Sequence, residues 1–126
     1  MTKLREVYKC DICGNVVELL HEGADALVCC GQPMEKLAVK YEDKGKEKHV
    51  PVVSTVDGGI RVEVGDVHHP MEDEHSIKFI EVLTADKVLR AELKPGQEPV
   101  AEFNIDASEV ELVREYCNKH GLWTAK

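Results

Sequence analysis

A chain of 126 residues is long enough for one modest domain, or for one domain with a small appendage. Its formal net charge of −8 argues against a nucleic-acid partner or an anionic membrane surface, and its few aromatic residues argue against a large aromatic-lined cavity. No stretch approaches the roughly 20 apolar residues of a membrane span, and the start, MTKLREVYKC, lacks an apolar core of signal-peptide length. The expected setting is therefore a reducing cytoplasm, where thiols bind metals or do chemistry rather than pair as disulfides.

Residues 1–37 form a cysteine module. Its four cysteines, Cys10, Cys13, Cys29 and Cys30, follow a C-x2-C-x15-C-C spacing. The first pair makes a tight knuckle, with Gly14 free to take a left-handed turn. The second pair completes a four-sulfur tetrahedron, which selects zinc or iron. Adjacent residues reach one ion less freely than a second C-x2-C knuckle would, so a distorted tetrahedron is expected.

The chain then runs through AVKYEDKGKEKHVPV, a charged stretch with Gly45 that reads as linker and loop. From Val50 the pattern becomes β. VPVVSTV and IRVEVGDV flank a DGG turn, and Ile60, Val62 and Val64 alternate with Arg61 and Glu63. HSIKFIEVL, KVLRAEL and PVAEFNI read as further strands, the last with Ala101, Phe103 and Ile105 on one face. VELVREYC fits helix or strand by periodicity, and strand is favoured. Short strands at near-regular intervals between Gly and Pro turns predict an antiparallel sandwich or barrel over residues 38–126.

Six histidines punctuate this region and the first module. Four lie at loop positions: His49 at the entry to the first strand, His69 and His75 on either side of a Pro-containing loop, and His120 just beyond the fifth cysteine, Cys117. A sandwich gathers its loops at two ends, so three such loops can converge. A thiolate with several imidazoles suits iron or copper more than calcium or magnesium. With Met34 and Met71 available, copper stays open on composition.

Taken in order, CDICG…CC, EKHVP, HPMEDEH and CNKHGLW resemble the desulfoferrodoxin family, the two-iron form of superoxide reductase, over almost the whole chain. The resemblance implies a desulforedoxin-like Fe(Cys)4 module with Cys10, Cys13, Cys29 and Cys30 as ligands. It implies an immunoglobulin-like β-sandwich that holds a second, catalytic iron. Its equatorial ligands would be His49, His69, His75 and His120, with Cys117 axial. His68 and His21 are then not ligands. The implied reaction takes superoxide, one electron and two protons to hydrogen peroxide, with an outside donor such as rubredoxin restoring the iron. Glu47 is implied as a sixth ligand of the resting ferric state. Lys48 is implied to attract superoxide and to organise a proton-delivering water. A local cation is also what an acidic protein needs if its substrate is an anion. A homodimer is implied as well, and the short first module could hardly bury a core alone.

Two other classes compete with this reading: a non-catalytic iron electron-transfer protein, and a zinc-stabilised binding module. An exchangeable coordination position separates the first from an enzyme, and colour separates the second, since zinc is spectroscopically silent.

Overall fold

The computed structural model describes residues 2–42, 48–65 and 67–125. The chain separates into two compact units, Met1–Ala38 and Val39–Lys126, and it is built almost wholly of β-strands.

The first unit contains β1 (Val7–Lys9), β2 (Val16–Glu18), β3 (Val28–Cys29), β4 (Gln32–Pro33) and β5 (Glu35–Lys36). The strands form a three-stranded sheet in the order β2-β1-β5 and a separate β3-β4 hairpin. With strands this short, little apolar surface is available, and the donor-bearing turns must contribute to order. Glu6 shows how polar groups assist. Its carboxylate accepts from the Tyr8 hydroxyl at 2.7 Å and the Lys3 backbone N–H at 2.7 Å, and pairs with Lys36 at 3.1 Å. These donors, Tyr8 foremost, lower its pKa to about 2.

The second unit comprises β6 (Val39–Lys40), β7 (Pro51–Val56), β8 (Gly59–Val64), β9 (Ile77–Leu83), β10 (Val88–Glu92), β11 (Val100–Phe103), β12 (Leu112–Cys117) and β13 (Gly121–Thr124). A five-stranded sheet, β10-β9-β12-β13-β6, belongs to one layer of a sandwich and a three-stranded sheet, β11-β8-β7, to the other. The alternation read in the sequence fills the space between them. Ile60, Val62 and Val64 of β8 are fully buried with Ile80 and Val82 of β9, and Ala101, Phe103 and Ile105 join the same cluster. Each such aliphatic side chain contributes about 2 kcal/mol by leaving water.

Two features depart from the sequence reading. Residues 39 and 40, expected in a linker, form the edge strand β6 and pair with β13 in parallel, Leu122 opposite Val39 and Trp123 opposite Lys40. A two-residue strand is too short to leave a periodic signal, so its charged neighbours dominated the pattern. The second feature is an ion triad on a buried carboxylate, with Arg114 buried and Arg90 exposed. Glu81 lies opposite both Arg90 and Arg114 in the strand register. It accepts from Arg90 Nε at 2.8 Å and from Arg114 Nε at 2.7 Å, while its own side chain is fully buried. This cross-strand arrangement locks β10, β9 and β12 in one register, because a shift by one residue would strand a buried carboxylate.

Candidate metal centres

In the first unit, the Cys10–Cys13 knuckle is closed by backbone bonds from Gly14 N–H to Cys10 O and from Cys10 N–H to Asn15 O, each 2.9 Å. Gly14 takes φ +82° to complete it. The second pair solves a geometric problem. Successive residues of a strand point to opposite faces, so Cys29 and Cys30 could not face one point if both stayed extended. Cys30 instead adopts φ +52°, with Gly31 at +76°. The four sulfurs come within 4.8 Å of one another, Cys13 and Cys29 at 3.6 Å.

Protonation tests whether this set suits a cation. The Cys13 backbone N–H, aimed at Cys10 Sγ, lowers the Cys10 pKa to about 6. Cys30 is pushed up to about 12, first by its hydrogen bond with Cys13 and then by that with Cys10, and Cys29 is raised for the same reasons. The cluster by itself thus favours a thiolate at Cys10 and holds protons on Cys29 and Cys30. A transition-metal cation among the sulfurs removes that competition, so the residues fit the metal.

In the second unit, His49, His69, His75, Cys117 and His120 offer one ligand atom each, again within 4.8 Å of one another. They meet because strand ends meet. His49 precedes β7, His69 and His75 lie between β8 and β9, Cys117 ends β12, and His120 sits in the turn to β13. His49 Nε2 and His120 Nδ1 are 3.1 Å apart, and Cys117 Sγ lies 3.6 Å from His69 Nε2 and 3.8 Å from His120 Nδ1. His69 donates its Nδ1–H to Pro70 O at 2.7 Å, which fixes the tautomer and leaves Nε2 for the cluster. The neighbouring His68 turns away and donates to Glu63 at 2.8 Å. His21 is exposed, apart from either group.

Local irregularities aim these donors. β9 carries one extra residue opposite β12, so Tyr116 faces Phe79 but Cys117 faces Ile77. That bulge keeps Ile77 and Cys117 on the core side, where both are fully buried. His49 and His69 are buried, His75 is half-buried and His120 is exposed. The thiol therefore lies on the buried side of the cluster and His120 on its solvent side. Lys48 adjoins His49 in the chain and is half-buried. Glu47 lies outside the described residues.

Further residues lie around the donors. Trp123 is stacked on His49, ring centroids 4.7 Å apart and planes 13° apart, and donates Nε1–H to His120 O at 3.1 Å. Asn118 accepts from Ser76 N–H at 3.0 Å and donates to Glu74 O at 2.8 Å, which ties the loop of Cys117 and His120 to the loop of His75. Glu115, fully buried two residues before Cys117, carries no signal in a strand that otherwise reads as amphipathic. Only the run CNKHGLW hinted that Asn118 and Trp123 belong with the donors.

Fold and donors together define a β-rich protein with two transition-metal centres, one of four thiolates and one of four imidazoles and a thiolate. The desulfoferrodoxin family model matches residues 41–126, and the model of the desulfoferrodoxin N-terminal domain matches residues 2–37. A desulfoferrodoxin homolog of Methanothermobacter thermautotrophicus is 52% identical over 123 residues, covering 98% of this chain and 99% of that protein. The desulfoferrodoxin of Desulfarculus baarsii is 51% identical over 126 residues, covering 100% and 99%. The crystal structure of the superoxide reductase from Treponema pallidum matches with a TM-score of 0.80 at 27% identity, over 96% of this chain and 97% of that one. The chain belongs to the desulfoferrodoxin family.

Proposed function

We propose that this protein is a superoxide reductase, carrying superoxide, one electron and two protons to hydrogen peroxide. The observation that carries the reading is the cluster of His49, His69, His75, His120 and Cys117, closed on the inside by a buried thiol and open at His120. Iron held there supplies a one-electron ferrous–ferric couple beside a strongly donating thiolate. The protein's residues supply the rest. His69 is held in one tautomer by Pro70 O, and Asn118 ties together the two segments that carry His69, His75, Cys117 and His120. The buried face of Cys117 keeps water from the sulfur. Lys48 is assigned the attraction of the anion and the delivery of protons through water, which its position next to His49 supports. Glu47 is assigned the exchangeable sixth position of the resting site, on the resemblance alone.

The electron donor is assigned as a rubredoxin-like carrier, the assembly as a homodimer and the compartment as the cytoplasm. Among the described residues, no helix is long and apolar enough to cross a membrane. The zinc-module reading leaves a five-donor, partly exposed second cluster unexplained. A non-catalytic iron needs no solvent-side access of the kind His120 provides.

The test is stoichiometric. Iron-loaded protein with excess reductant is expected to give one peroxide per superoxide and to release no dioxygen. Half as much peroxide, with dioxygen released, would mean dismutation and would overturn the assignment.

A further inference from the structure

The edge strand β6 brings one residue to the metal centre that no motif announces. Its parallel pairing with β13 sets Lys40 opposite Trp123, so the two side chains share a face. Lys40 Nζ lies 5.2 Å from the Trp123 ring centroid, within range of a cation–π contact. The same Nζ donates to His120 O at 2.9 Å, and Trp123 Nε1–H donates to that oxygen too. The same indole is stacked on His49. One ammonium thus touches the backbone of one imidazole donor and the aromatic ring that covers another. Gly121, between them in the chain, takes φ +92°, and an added Cβ would come no closer than 3.7 Å to Lys40 Nζ.

We propose that Lys40 is a positioning residue of the imidazole–thiolate centre, which fixes His120 and Trp123 and supplies a standing positive charge that raises the reduction potential of the loaded site. The inference rests on the reading of this cluster as a superoxide-reducing iron site. A cation near a metal disfavours the oxidised, more positive state, so its removal lowers the potential. Because Lys40 is exposed, its field is screened by salt, and any pull it exerts on an anionic substrate must weaken over a Debye length, about 8 Å at physiological ionic strength. A lysine that only tied down an edge strand would change stability and leave the potential where it was.

A charge series separates these roles. In iron-loaded protein, Lys40→Arg is expected to keep the parent potential, Lys40→Met to lower it and Lys40→Glu to lower it further. Trp123 is the single tryptophan, so its emission, read on the same proteins freed of iron, should change in Lys40→Met and be restored in Lys40→Arg. Superoxide association should fall about two- to fivefold in Lys40→Met at low salt and converge with the parent at high salt. Circular dichroism checks that each variant is folded. Equal potentials across the series, or an arginine that does not rescue, overturns the proposal. If the parent protein fails to reduce superoxide, the functional reading falls, while the potentials and the emission still decide the role of Lys40.

Discussion

At the scale of single residues, the donors were legible because ligand chemistry restricts residue type, while their supports were not. Cysteine and histidine in short fixed spacings narrow the candidates, and the resemblance to the desulfoferrodoxin family completed the set of nine by choosing His69 over His68. Gly65 could not be named from the chain, because its need comes from packing. It takes φ +82°, and a Cβ there would lie 2.5 Å from Val67 O, 2.7 Å from Lys48 Cβ and 2.8 Å from Lys48 O. Gly65→Ala should therefore combine a left-handed penalty of about 1–2 kcal/mol with displacement of the segment that carries Lys48 and His49. Urea unfolding should show a loss of about 2–3 kcal/mol together with weaker iron retention; a variant with parent stability and parent iron content would sink this reading. Cys117 and Lys48 differ in another way. Cys117→Ser replaces a thiolate with a poor donor and should abolish superoxide reduction, with loss of the metal or of its thiolate absorption. Lys48→Ile should keep the metal, slow superoxide association and flatten its dependence on ionic strength. Rapid-mixing kinetics would separate the two, and a Cys117→Ser protein near the parent rate refutes the assignment.

At the scale of elements, alternation was enough to find the strands that bury one face against the core, such as β8 with Ile60, Val62 and Val64. It could not find β6, which has two residues, nor the extra residue in β9, which shows only when β12 is laid beside it. The loops were legible by composition but not in their mutual fixing. Asn118 supplies that fixing through both ends of one amide, accepting from Ser76 N–H and donating to Glu74 O. Asn118→Ala removes two hydrogen bonds, leaving the N–H of buried Ser76 without this acceptor and the exposed Glu74 C=O to water, a loss of about 2 kcal/mol. Asn118→Asp keeps the acceptor for Ser76 but sets a carboxylate against the Glu74 carbonyl. The expected order of iron affinity is parent, then Asp, then Ala, with the visible thiolate band of the second centre shifting in the same order. Identical bands and affinities in all three proteins would show that the two loops hold themselves.

At the scale of the whole molecule, the sequence suggested two metals because four cysteines cluster early and the fifth stands alone among histidines. Each donor set lies inside one compact unit: Cys10, Cys13, Cys29 and Cys30 within Met1–Ala38, and the five others within Val39–Lys126. The two sets share no residue, and the second unit has its own buried apolar core in Ile60, Val62, Val64, Ile77, Ile80 and Val82. The triad on the buried Glu81 adds order there without any cysteine of the first set. Its residues were invisible beforehand, since one glutamate and two arginines on three strands have no spacing rule until the register is known. Independence of the centres follows from this division. Cys13 is exposed and contributes one of four sulfurs, with Cys29 Sγ 3.6 Å away. Cys13→Ser replaces that sulfur with a hard, weakly bound oxygen, so the first centre should lose its absorption and its metal. The second unit keeps every donor and every core contact named above. Superoxide reduction measured with a chemical reductant, which needs no relay through the first centre, should therefore remain within about twofold of the parent. Metal analysis should fall from two irons to one per chain. A Cys13→Ser protein that retains both irons, or that keeps the second iron and loses superoxide reduction, would mean that the centres are coupled and that the division into separate metal units is wrong.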